Sequence, residues 1–251
     1  MEKGIAKRYF GGKGASGAVQ KIINCIRPHD TLVEAYLGNG YLSRSIKKPS
    51  RIIGNDLNSK VYNKWIKLGY PWMELYNLPA IELLKQLNFE DLSKTVIYLD
   101  PPYPLSSRKS PKLVYDSEMT DEDHEKLLDF ILHELPGNVD LLISTYPNSI
   151  YENKLRHWSK IEYQVKTSRG MATEVLYYNY SDLSLIHDYS FAGDNYRERL
   201  QIKRKAKRWA NRLEKMPDYE KQAIIEEVLK LPEFSTAAVT SKMALSAGVI
   251  S

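Results

Sequence analysis

The residues best suited to chemistry are four neighbours, Asp100, Pro101, Pro102 and Tyr103, which we call the tetrad. Asp100 offers a carboxylate acceptor and Tyr103 offers an aromatic face, while the prolines lack backbone donors that would compete for nearby carbonyl oxygens. This set suits a flat base that carries an exocyclic amine. Asp100 and the Pro101 carbonyl would accept the amine hydrogens and localise the nitrogen lone pair, which favours methyl transfer to an amine of adenine or cytosine.

The segment before the tetrad predicts where it lies in the fold. Residues 95–99 form a short β-rich apolar run that predicts a buried strand. The tetrad would then lie at a carboxyl-terminal strand edge, where open α/β sheets bind ligands. An ordinary strand followed by a Pro-Pro loop explains these four residues about as well. The rest of the chain must therefore decide between the two interpretations.

A glycine-containing segment upstream is typical of a nucleotide-type cofactor site. Residues 31–36 predict a strand that leads into a loop, Leu37-Gly38-Asn39-Gly40, whose glycines allow close backbone approach to a ligand. A second predicted strand, at 51–55, ends before Asp56, where nucleotide folds place a carboxylate on a ribose hydroxyl. Ser43 stands where the dinucleotide fingerprint needs a third glycine, or an alanine, so a nicotinamide cofactor is not favoured.

A glycine-rich basic turn occupies residues 8–14. It lacks the spacing and the Lys-Ser/Thr ending of a P-loop, so hydrolysis of nucleoside triphosphates is not indicated. Alone, this turn is weak evidence for a binding site. It precedes the glycine-containing segment and the tetrad, and the order of the three is informative.

Together these segments resemble the Dam-type (D12 class) adenine-N6 DNA methyltransferases, which use S-adenosylmethionine. The matching motifs are Tyr-x-Gly-Gly-Lys at 9–13, Tyr-x-Gly-x-Gly at 36–40, Asn-Asp at 55–56 and Asp-Pro-Pro-Tyr at 100–103. One departure is Ala35, which replaces the proline of the family's Glu-Pro-Phe. The resemblance covers about residues 5–180 and implies an α/β fold with a Rossmann-like class I methyltransferase sheet, helices on both faces and a terminal β-hairpin. Beyond it, apolar residues at helical spacing predict a C-terminal helical tail.

The resemblance also implies roles for individual residues. The tetrad would hold the target adenine, and S-adenosylhomocysteine would be the product, with no metal required. Cofactor binding is expected from seven residues: Tyr9, Lys13, Tyr36, Gly38, Gly40, Asp56 and Asn77.

Basic charge is concentrated near the C-terminus. The net charge is +5, yet residues 197–215 alone carry +7, so the remainder sums to −2. Apolar residues recur there at helical spacing, at Ile202, Ala206, Trp209 and Leu213, which predicts an amphipathic helix with a basic remainder. Such a helix favours contact with nucleic-acid phosphates, although docking through Trp209 is an alternative. The expected DNA contacts are Arg108, Lys109, Lys112, Arg169, Lys203, Arg204, Lys207 and Arg208.

These patterns predict three segments: a methyltransferase domain at 1–185, a basic helical hairpin at 186–233 and a weakly ordered tail at 234–251. Only 43 residues separate Asp56 from Asp100, enough for two helices and two strands. The target-recognition insert usual in Dam-type enzymes is thus expected to be reduced or absent.

Composition predicts a soluble, cytoplasmic protein without a membrane segment. The only cysteine, Cys25, cannot form an internal disulfide, and no run of about 18 apolar residues occurs. Double-stranded DNA is the expected partner, and the oligomeric state is not indicated. Two alternatives stay open: an RNA adenine or DNA cytosine-N4 methyltransferase, and a non-catalytic nucleic-acid-binding module that keeps the fold.

Overall fold

The structure is a computed structural model that describes residues 17–90, 92, 94–107, 118–167 and 170–231. The strands in these ranges are β1 Thr31–Glu34, β2 Arg51–Asn55, β3 Glu74–Tyr76, β4 Thr95–Leu99, β5 Asp140–Thr145, β6 Ser159–Thr167 and β7 Gly170–Tyr178. The helices are α1 Ala18–Ile23, α2 Tyr41–Ser45, α3 Ser59–Leu68, α4 Ala80–Gln86, α5 Asp121–His133, α6 Ser149–Lys154, α7 Tyr196–Glu214 and α8 Asp218–Leu229. Short 3-10 turns lie at Leu105–Ser107 and Tyr189–Phe191.

The described strands form one mixed sheet in the order β3-β2-β1-β4-β5-β7-β6. β1 to β5 pair in parallel, whereas β7 is antiparallel to both β5 and β6. The β6–β7 pair is the predicted terminal hairpin, with Thr167 opposite Gly170. This arrangement is the Rossmann-like class I methyltransferase sheet, so the predicted fold class is confirmed, including the C-terminal helices.

The central strands are buried on both faces. Every residue of β1 and of β4 is buried, and β5 is buried from its second residue onward. Parallel strands covered on both sides lack the polar alternation of a half-exposed sheet, which explains the continuous apolar run before the tetrad. The hydrophobic core joins these strands to α4 and α5 through residues such as Leu83, Leu127 and Ile131.

Strand direction brings the predicted functional segments together. Val33 of β1 lies opposite Ile53 of β2 and Ile97 of β4, so the residues that follow these parallel strands meet at one sheet edge. Between Asp56 and Asp100 the chain forms α3, β3, α4 and β4. The expectation of two helices and two strands in this interval is therefore confirmed.

The chain divides after Asp188 into two compact units. The first contains the sheet, and the second contains α7 and α8 within its described residues. α7 begins at a cap in which the Asn195 side chain accepts a hydrogen bond from the backbone N–H of Glu198 at 3.0 Å. Trp209 on α7 is 50% exposed, and the Arg212 guanidinium lies 5.5 Å from its ring centre.

Among the residues that the structure describes, no helix combines the length and apolar character needed to cross a membrane.

Candidate active site

A cavity of about 370 Å³ opens at the carboxyl edge of the parallel strands. Its described walls come from the loop after β1, the residues after β2, the start of α4, the tetrad and the first turns of α5. The volume is in the range of small-molecule and cofactor sites. Motifs that lie far apart in the sequence thus share one cavity.

The loop of residues 37–40, here called the glycine loop, is shaped by two left-handed glycines. Gly38 and Gly40 have φ of +47° and +56°, where side chains are strained. Trp65 packs beneath the loop, and its indole Nε1 donates to the Gly38 carbonyl oxygen at 2.9 Å. A Cβ atom at Gly40 would lie 2.6 Å from the Trp65 ring, so the loop has room only for glycine there.

Asp56, which follows β2, is hydrogen-bonded to the glycine loop. Its Oδ2 accepts from the backbone N–H of Gly38 at 2.8 Å, and its Oδ1 accepts from that of Asn58 at 2.9 Å. Burial raises the pKa of this carboxyl, while the two backbone N–H groups oppose the change. Because each oxygen has a second lone pair, the carboxylate can also accept a ligand hydroxyl.

Asn77 lies beside this site but does not line the cavity as described. Its amide donates to the backbone oxygens of Asp56 at 2.6 Å and Leu57 at 3.0 Å. The residues after it, 78–81, do line the cavity. The structure therefore gives Asn77 a role in holding the Asp56 turn, and its contact with a cofactor stays a prediction.

Glu34 is a functional candidate that was not among the predicted site residues, although it stands at the glutamate of the family's Glu-Pro-Phe. Its buried carboxylate lines the cavity and accepts from both the backbone N–H and the hydroxyl of Ser43, at 3.1 and 2.5 Å. Burial raises the pKa of Glu34 to about 7, against the opposing effect of the Ser43 hydrogen bonds. Ser43 was a further signal, since its departure from the dinucleotide pattern is explained by this contact.

All four residues of the tetrad line the cavity. Tyr103 is only 4% exposed, and its ring centre lies 4.4 Å from that of Tyr146. The buried hydroxyls of Tyr98 and Ser144, on β4 and β5, are hydrogen-bonded to each other at 2.9 Å. Burial and the nearby charge of Asp100 raise the pKa of Tyr103 well above its ordinary value, so this hydroxyl keeps its proton at neutral pH.

The start of α5 and the residues just before it line the cavity, which was not predicted from the sequence. Thr120 and Asp123 form a capping box, with the Asp123 carboxylate accepting from the Thr120 backbone N–H at 2.9 Å. The acidic helix start was predicted, but nothing in its pattern placed it against a cavity. Its lining residues are Glu118, Met119, Asp123, Lys126 and Leu127.

Negative charge dominates the described lining. Lys126 is its one basic residue, whereas four acidic residues besides the partly protonated Glu34 line it: Asp56, Asp100, Glu118 and Asp123. A ligand with a positive centre is favoured in such a field, and a polyphosphate is disfavoured.

The remaining predicted site residues fall into three groups. Tyr36, like Gly38 and Gly40, lines the cavity. Four predicted DNA contacts are exposed on α7, in the second unit: Lys203, Arg204, Lys207 and Arg208. Six further predicted residues lie outside the described ranges: Tyr9, Lys13, Arg108, Lys109, Lys112 and Arg169.

Several solved structures are similar to this chain. They include a putative methyltransferase, SMU.776, complexed with S-adenosylhomocysteine, at 12% identity and TM-score 0.48, covering 68% of this chain and 50% of that one. TrmK of M. capricolum, also with S-adenosylhomocysteine, has 12% identity and TM-score 0.43, covering 87% and 96%. An rRNA methylase from Streptococcus thermophilus has 14% identity and TM-score 0.40, covering 66% and 95%. The strand order itself, and not these similarities, carries the fold assignment.

No curated protein matches the chain. The family model of the D12 class N6 adenine-specific DNA methyltransferases matches residues 83–172. Of the four motifs, the tetrad falls inside this stretch, and the other three precede it. The resemblance to the D12 class is thus confirmed over residues 83–172, and the chain has the fold of a methyltransferase.

Proposed function

We propose that the protein transfers a methyl group from S-adenosylmethionine to the N6 amine of adenine in double-stranded DNA. One observation carries the proposal: the glycine loop, Asp56 and the tetrad line a single cavity. A cofactor-binding motif and a base-holding motif must share a cavity if a methyl group is to pass directly between their ligands.

The cofactor half of the cavity fits S-adenosylmethionine. Its sulfonium centre supplies an electrophilic methyl group, and the predominantly acidic lining favours such a cation. Asp56 would bind the ribose hydroxyls, and Gly38 and Gly40 would allow the backbone to approach the ligand closely. Tyr36 would line the same half.

The base half fits a flat ring with an exocyclic amine. Asp100 and the Pro101 carbonyl would accept the two N6 hydrogens, which aligns the nitrogen lone pair with the methyl group. Rotating the adenine out of the duplex costs a few kcal/mol, which stacking and hydrogen bonding in the pocket offset. The transfer is direct, forms no covalent enzyme intermediate, and depends mainly on positioning.

The second unit supplies the DNA-binding part of the proposal. α7 carries eight of the nine basic residues of 197–215, and its four predicted contacts are exposed. Such a helix binds phosphates without reading sequence. Base readout would then come from loops near the tetrad, since the elements that the structure describes between Asp56 and Asp100 are α3, β3, α4 and β4.

The test is methyl transfer from labelled S-adenosylmethionine to unmethylated duplex DNA, with the products digested to nucleosides. We expect N6-methyladenine from the wild type and from Asp129→Ala, a control on the exposed side of α5. Asp100→Ala should lose transfer while its cofactor affinity, measured by titration, stays within a few-fold of wild type. Full activity in Asp100→Ala would disprove the assigned role.

Other products would redirect the proposal. N4-methylcytosine, or methylation of RNA but not DNA, would reassign the base or the nucleic acid while keeping the active site. If the folded wild type bound nucleic acid but methylated neither DNA nor RNA, the chain would be a non-catalytic binding module.

A further inference from the structure

Tyr146 packs against the tetrad although it belongs to none of the predicted motifs. Its ring centre lies 4.4 Å from that of Tyr103, with 63° between the ring planes. Edge-on contacts of this kind are favourable between aromatic rings. β4 and β5 are parallel neighbours with Leu99 opposite Ile143, so the segments that follow them run side by side.

The turn that carries Tyr146 is held from several directions. The Asn148 amide donates to the Tyr146 carbonyl oxygen at 2.6 Å and to the Thr145 hydroxyl at 3.2 Å. The Asn148 side-chain oxygen accepts from the backbone N–H of Tyr151 at 3.0 Å. Thr145 and Tyr151 are fully buried. The Tyr146 backbone is therefore fixed to the end of β5 and the start of α6.

Because the turn is fixed, Tyr146 is a rigid neighbour of Tyr103, the ring on which the target base would stack. Tyr103 is 4% exposed, and Tyr146 is only partly exposed. Removing the Tyr146 ring would leave an empty space next to Tyr103, and interiors at native packing density respond to such a loss by shifting side chains. Tyr146 is thus one of the neighbours whose packing can fix the orientation of Tyr103.

We propose that Tyr146 is a positioning residue that holds the Tyr103 ring at the angle required by the flipped base. The inference rests on the proposed function. Tyr146 is absent from the described lining of the cavity, so it acts through Tyr103 and not on the reacting atoms.

The first test separates kcat from binding. Tyr146→Ala should lower kcat roughly tenfold to a hundredfold, the scale of a small misplacement, with the Kd for S-adenosylmethionine unchanged. Tyr146→Phe should recover most of the kcat that Tyr146→Ala loses, because the contact with Tyr103 is made by the ring. Tyr62→Ala is the matched control, since Tyr62 is a partly exposed tyrosine of α3 outside the described lining. All assays are run below the melting temperature of each variant.

The second test is a double-mutant cycle. If Tyr146 acts through Tyr103, the variant with both tyrosines changed to alanine should be no slower than Tyr103→Ala alone. Multiplied losses would show an independent role and overturn the inference. So would wild-type kcat in Tyr146→Ala, or a phenylalanine variant as slow as the alanine variant.

The outcomes distinguish this inference from the proposed function. An inactive wild type refutes the proposed function and the inference with it. An active wild type with an unimpaired Tyr146→Ala variant refutes the inference alone.

Discussion

The carboxylate of Asp56 accepts a hydrogen bond from the backbone N–H of Gly38, with 2.8 Å between Oδ2 and the nitrogen. The carboxylate expected to bind ribose and the glycine loop expected to cradle the cofactor are therefore one unit. A substitution at either residue should therefore alter the position of the other.

Asp56→Asn should weaken cofactor binding by about tenfold or more, because charge-assisted hydrogen bonds contribute about 1.5–3 kcal/mol. The asparagine amide would also point a donor at the N–H of Gly38 or of Asn58. The Kd for S-adenosylmethionine, measured by calorimetry, checks this. Asp129→Asn is the control, since Asp129 lies on α5 outside the described lining. An unchanged Kd in Asp56→Asn would refute the assigned role.

Gly40→Ala should destabilise the protein more than Gly69→Ala does. Both glycines have left-handed backbones, with φ of +56° and +63°, so both variants incur the same conformational cost of about 1 kcal/mol. Only at Gly40 does the new methyl group meet an obstacle, the Trp65 ring at 2.6 Å, whereas nothing lies within 4 Å of a Cβ at Gly69. Overpacking adds about 1–3 kcal/mol.

Urea unfolding of both glycine variants measures the difference directly. Cofactor affinity should fall in Gly40→Ala alone, because its loop borders the cavity. Equal free energies of unfolding for the two variants would show that the loop yields to Trp65 without cost.

Glu34→Gln should change the pH dependence of stability. The pKa of Glu34 is about 7 in the folded protein against an ordinary 4.5, with burial as the largest cause. The folded state therefore binds more protons between these values, and the free energy of unfolding falls as pH rises through about 7. A glutamine cannot ionise, so the variant should gain stability relative to wild type from pH 5 to 8, by on the order of 1–3 kcal/mol.

The comparison of wild type with Glu34→Gln also cancels the opposing effect of His29 on the pH dependence of stability. Burial lowers the pKa of His29 to about 3, which favours folding as pH rises toward the ordinary 6.5. His29 is present in both proteins, so its effect cancels in the difference. Glu90→Gln, at an exposed site, serves as control. Parallel stability curves for wild type and Glu34→Gln would contradict the prediction.

The sequence predicted the sheet and the shared edge because short local patterns determine both. The apolar run at 95–99 and the glycines at 38 and 40 each signal a local conformation, and parallel strand direction then brings their ends together. The confirmed fold class follows from such signals.

Contacts between distant segments left no comparable signal. Glu34 and Ser43 meet because α2 folds back on β1, and Asp123 lines the cavity because α5 starts beside it. The sequence places residues 146–148 after β5, at the same sheet edge as the tetrad, but the contact between the Tyr146 and Tyr103 rings follows only from the pairing of β4 with β5. Each of these contacts depends on packing in three dimensions, which residue types and spacing do not determine.

If α7 binds DNA phosphates, removing its charges should flatten the salt dependence of binding. Each phosphate contact contributes roughly 0.9 to the slope of log Kd against log salt, so a fourfold glutamine variant should lose up to about 3.6. The changed residues are Lys203, Arg204, Lys207 and Arg208. A control with the same loss of net charge replaces four exposed lysines of the first unit, Lys60, Lys67, Lys85 and Lys160. Fluorescence anisotropy with an unmethylated duplex gives both slopes, and equal slopes would mean that overall charge, not α7, attracts the DNA.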